Sequence, residues 1–145
     1  MIRMAIFYFV QVAITLVATY RGGAPERIVG LALLGAALAT SLIPFEDKQT
    51  FYGINWYALY IDGVLLTILL LIAARADRYW PLWLASLQVV TIGIHGVRVY
   101  DPFFLPIVYA RLVGEIAYPM LAILLAGTLR HSRRLGEPDW SPFKW

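Results

Sequence analysis

Five stretches of the chain are apolar for long enough to matter in a bilayer, whose hydrocarbon core takes about 20 residues of helix, range about 17–25. They run from about Met4 to Tyr20, Ile28 to Ile43, Asn55 to Ala74, Pro81 to Tyr100 and Pro106 to Leu129. Glycine and proline punctuate them: Arg21-Gly22-Gly23 closes the first and Pro44 stops the second. The second stretch is short, and its Gly30, Gly35 and Ala39 offer small-residue packing to a neighbouring backbone. The pattern predicts an all-α integral membrane protein, a compact bundle of five transmembrane helices joined by short loops. Four spans, with the first two helices lying shallow, is the alternative. Residues 1–129 then form the bundle and residues 130–145 a basic, aromatic cytoplasmic tail.

Polar residues interrupt the apolar stretches with helical spacing, so that four of the five helices carry one stripe each. Tyr8, Gln11, Thr15 and Thr19 share a face of the first helix, and Asn55 and Asp62 a face of the third. Gln88, Thr91, His95 and Arg98 do the same on the fourth, as do Arg111, Glu115 and Tyr118 on the fifth. At 1.5 Å rise per residue, Asp62, His95 and Arg111 lie roughly 6–10 Å below one membrane face, and Glu115 perhaps 12–14 Å. Gln11 falls at a similar level, which gathers these groups in one half of the bundle. Ionisable residues at such depth are costly, so they mark a functional site by default. A network of paired charges that only holds the helices in register is the other reading. Pairing is expected between Asp62 and Arg98 or Arg111, and between Glu115 and Arg111 or His95, because arginine stays charged and binds carboxylates through two parallel hydrogen bonds.

Composition sharpens this picture. The 145 residues are 61% hydrophobic and 14% charged, with a net charge of +3 and a mean hydropathy of +0.71. Soluble domains are about 45–50% apolar and about 25% charged, which excludes a water-soluble globule. Disorder and nucleic-acid binding are excluded by the scarcity of charge. The absence of cysteine removes disulfides, thiolate metal sites and a catalytic thiol. His95, Asp62 and Glu115 make a poor metal set without a second intramembrane histidine, and no phosphate loop or hydrolase motif is present. No cofactor is expected.

Lysine and arginine set the orientation. Arg21, Arg27, Arg75, Arg78, Arg130, Arg133, Arg134 and Lys144 fall on one side, Arg3, Lys48, Arg98 and Arg111 on the other. The excess puts the C-terminus in the cytoplasm and the N-terminus outside. His131, among Arg130, Arg133 and Arg134, belongs to an anchor for anionic lipid. In the tail, Trp140, Phe143 and Trp145 stand beside prolines and suit either the headgroup layer or a docking partner.

The run Ala76-Asp77-Arg78-Tyr79-Trp80-Pro81-Leu82-Trp83, followed by Gln88, His95, Asp101-Pro102, Tyr118-Pro119 and Gly127-Thr128, resembles small hypothetical inner-membrane proteins of Gram-negative bacteria. The likeness covers the third to fifth helices best; it implies a bacterial inner membrane and assigns no activity. The expected role is an accessory or interaction subunit of a larger membrane complex. Its partners would be the lipid bilayer and a second protein or a second copy of the chain, with no nucleic acid. The alternative is a small-molecule, quinone or proton-handling membrane protein, transporter-like or enzymatic, that uses the polar cluster.

Overall fold

The computed structural model describes residues 2–42, 56–76, 78–100 and 106–134, and the side chains of all of these except 98–100, 106–110 and 134. Asn55, Lys48 and the tail aromatics Trp140, Phe143 and Trp145 lie outside the described residues. Five helices appear in order: α1 (Ile2–Arg21), α2 (Ala24–Ser41), α3 (Trp56–Arg75), α4 (Trp80–Tyr100) and α5 (Pro106–Arg134). No strand occurs among the described residues.

Four of the five, α1, α3, α4 and α5, are long and apolar enough to cross a membrane. Helix α2 falls outside that set, having 18 residues with Glu26 and Arg27 in its first turn. It is nonetheless part of the bundle. Thr15 of α1 donates to the carbonyl of Gly30, and Tyr8, two turns earlier, donates to that of Ala37. One partner number falls as the other rises, which is the signature of two antiparallel helices lying side by side. α1 and α5 instead run parallel, since Arg3 meets Glu115 while Phe7 meets Tyr118.

Packing closes the helices into a ring taken in chain order, with α5 returning to α1 and α2 reaching across to α5. Leu33, Leu65, Leu69, Leu84, Leu121 and Leu124 fill its interior. Much more apolar side chain points outward: only 11% of the α3 span is buried, and Phe9, Tyr60 and Leu82 are all exposed. That inverted economy is what a lipid solvent allows, because apolar surface there needs no cover. With four helices of spanning length and this surface, the chain has the character of a multi-pass membrane protein.

The α1–α2 turn needs its glycines. A Cβ on Gly22 would press on the Ala18 carbonyl and lie 2.6 Å from Glu26 Cβ, so no larger residue fits. Gly30 allows the close α1–α2 crossing, with its added Cβ 3.4 Å from Ala18 Cβ and 3.6 Å from Thr15 Cγ2. Gly35 does not share that contact: it is exposed, with open space where a Cβ would stand. Five residues turn a helix by about 140° beyond a full circle, so Gly30 and Gly35 cannot serve one face. Ala39 is half-buried. α5 runs five residues past Leu129 to Arg134, because no glycine or proline intervenes before Gly136. His131 is therefore a helical residue of the bundle.

Candidate functional site

Two polar sites occupy opposite ends of the ring. The first grows from the stripes of α1, α3 and α4. Asp62 stands between two donors: Gln88 Nε2 reaches its Oδ1 at 2.9 Å and its own carbonyl at 3.3 Å, and His95 Nε2 lies 2.8 Å from Oδ2. Against an ionised carboxylate, which only accepts, His95 would donate from Nε2. Gln88 and His95 are each 2% exposed, while the Asp62 side chain keeps 18% exposure.

That remaining edge of Asp62 opens on a cavity of about 200 Å³ at the centre of the ring, which Tyr8, Gln11, Gln88 and Thr91 also line. Gln11 is 2% exposed, and its Nε2 has no hydrogen-bond partner among the described residues. An unmade hydrogen bond on a buried amide costs about 1–3 kcal/mol. A carboxylate and an amide donor unmatched among the described residues thus line the space where a small polar group would be held, with the His95 imidazole behind the carboxylate.

The expected pairs form differently. Asp62 takes His95 where Arg111 was one expected partner, and Glu115 takes Arg3, 2.7 Å away. Arg111 is exposed, and the side chain of Arg98 lies outside the described residues. The reason is azimuthal: at this level α5 faces α1, so Arg111 and Glu115 point away from α3. Arg3, Arg111, Glu115 and Tyr118 line a separate rim cavity of about 340 Å³. Both members of the Arg3–Glu115 pair are more than half exposed. The stripes therefore divide, with Gln11, Asp62, Gln88 and His95 central and Arg111, Glu115 and Tyr118 at the rim.

The second site was invisible to spacing. Glu26 is fully buried at the start of α2. Its Oε2 accepts from the Gly23 amide at 3.0 Å, which caps the helix, and its Oε1 is ion-paired with Arg78. Arg78 also reaches His131 Nδ1 at 2.8 Å. Because arginine can only donate, Nδ1 accepts and the imidazole proton sits on Nε2. One guanidinium thus ties α2, the α3–α4 connection and α5 together. The capping position of Glu26 was legible as an acid three residues after a glycine turn; nothing in the sequence joins it to residues 52 and 105 positions away.

Among the described residues, no group of three or more histidine, aspartate or glutamate side chains could hold a metal ion. No protein-family model matches the chain, and no curated protein or solved structure does either.

Proposed function

We propose that this is a five-pass protein of a bacterial inner membrane, N-terminus outside and C-terminus cytoplasmic, that binds a small polar molecule or exchanges a proton at the Asp62 cavity. The observation that carries this reading is the cavity that Asp62, Gln88 and the unpartnered Gln11 share at the middle of the ring. Buried donors in a purely structural network are nearly always matched, so an unmatched one at a cavity supports a guest. A cavity of about 150 Å³ is known to hold benzene, so this one admits a single-ring head group of quinone type or a few waters. The carboxylate–imidazole pair of Asp62 and His95 can take up and release a proton, and Gln11 supplies a donor for a carbonyl.

The five-pass topology is supported by the antiparallel course of α2 beside α1. The orientation is supported by the gathering of Arg21, Arg27, Arg78 and Arg130 at one end. Single cysteines at Lys48 and Ser132 should label from opposite sides of intact cells.

Binding is tested with the full chain in nanodiscs and a short-chain benzoquinone. The quinone should raise the melting midpoint of the parent, and Asp62→Asn and Gln11→Leu should fold but lose that shift. A parent that ignores the quinone, together with an Asp62→Asn that unfolds, would reduce the cluster to scaffolding.

A second reading is an accessory subunit that docks a protein partner or a second copy. The outward face of α2 favours it, since exposed Gly35 leaves open space on the one described helix outside the spanning set. Gly35→Leu should then break assembly without harming the monomer.

A further inference from the structure

The end of the ring opposite Asp62 holds a cavity of about 440 Å³, lined by Arg78, Arg130 and His131 on one side and by Trp80, Trp83 and Ile123 on the other. Its size is that of a small-molecule site, about 300–1,000 Å³. Neither the Asp62 chemistry nor the helix packing uses it.

Among the described residues its lining carries Arg78, Arg130 and His131 and no acid. Glu26 neutralises Arg78 and clamps it, with His131 as a second anchor, so the guanidinium is held in place before any ligand arrives. The Arg78 side chain keeps 25% exposure, and Arg130 is exposed. A guanidinium held this way has donors left over in a fixed plane, the geometry that matches phosphate oxygens. Trp80 is set by Gly127: an added Cβ there would lie 3.1 Å from the indole ring, so the ring rests flat on α5. Its Nε1 is buried with no acceptor among the described residues.

The other wall is apolar and continuous with the membrane-facing surface, where Leu82, Trp83 and Leu129 are exposed. A free phosphate would use only the cationic half. An amphiphile with an anionic head and acyl chains uses both, and tryptophan beside arginine is the expected furniture of the headgroup layer.

We infer that this cavity is a binding site for one anionic phospholipid, with the phosphate on Arg78 and Arg130 and an acyl chain against Trp83 and Ile123. The inference is independent of the Asp62 reading.

The test is native mass spectrometry of the detergent-solubilised full chain, titrated with phosphatidylglycerol or with phosphatidylcholine of the same acyl chains. One phosphatidylglycerol should bind in preference to phosphatidylcholine. Arg130→Gln should weaken it about fivefold, the effect of one near-surface cation, whereas Arg133→Gln, exposed and outside the cavity, should not. Equal binding of the two lipids overturns the proposal. Equal loss in both variants also overturns it, since diffuse surface charge would then be responsible. Displacement of the phosphatidylglycerol by millimolar inorganic phosphate overturns the lipid assignment in favour of a free-phosphate site.

Discussion

Asp62 and Glu26 are both acids on apolar helices, and their surroundings differ in kind. Asp62 has neutral or titratable partners, Gln88 and His95, and retains an edge on a central cavity. Glu26 has an arginine and a backbone amide, and no exposure at all. A permanent cation and a backbone amide on a fully buried carboxylate make a structural lock. An imidazole and an amide instead leave Asp62 an open edge on the central cavity. The contrast separates the end of the molecule that holds the ring together from the end that has chemistry to offer.

Removing the arginine tests the lock most severely. Arg78→Ala should strand a buried carboxylate and cost about 3–5 kcal/mol, seen as loss of the monodisperse peak and of helical signal on mild heating. Glu26→Gln/Arg78→Ala should recover most of that, and no recovery would show that Arg78 acts by packing alone. Next in size is Gly30→Leu, which should cost about 1–3 kcal/mol through overpacking at the α1–α2 crossing, while Gly35→Leu leaves monomer stability unchanged. Thermal unfolding in one detergent compares them.

Asp62→Asn should be milder, about 1–2 kcal/mol, since a neutral acceptor still serves Gln88. If it proves as damaging as Arg78→Ala, the two ends do not differ in the way described. The smallest effect is expected from Glu115→Gln. Its pair with Arg3 is more than half exposed on both sides and contributes about 0–1 kcal/mol, so the melting midpoint should stay within error.

The helices and the central cluster were readable because hydrophobic length and polar period are properties of a single helix. Tyr8, Gln11 and Thr15 announce a face, and so do Gln88, Thr91 and His95. Which faces meet is a property of two helices, and there the reading slipped. Arginine was the natural partner for Asp62 on chemical grounds, yet α5 turns Arg111 and Glu115 toward α1. The Glu26–Arg78–His131 tie escaped altogether, because it joins two helix termini and a connection, and no period runs through them. Arg78 reads along the chain as a topological charge, and its partners lie on other elements. His131 lies beyond the apolar stretch, where an uninterrupted run without glycine or proline carries the helix on.

The ring closes between its first and last members, and this has a consequence for biosynthesis. α1 leaves the ribosome before the other four described helices, and α5, one of the two it packs against, follows all of them. Until then Phe7 and Arg3 lack Tyr118 and Glu115, and Glu26 must wait through three further helices for His131 to complete its tie. Every insertion intermediate is thus an open arc with an unfinished seam. A chain cut before α5 should be an incomplete substrate for membrane quality control, degraded quickly, while supplying α5 as a separate polypeptide should rescue it.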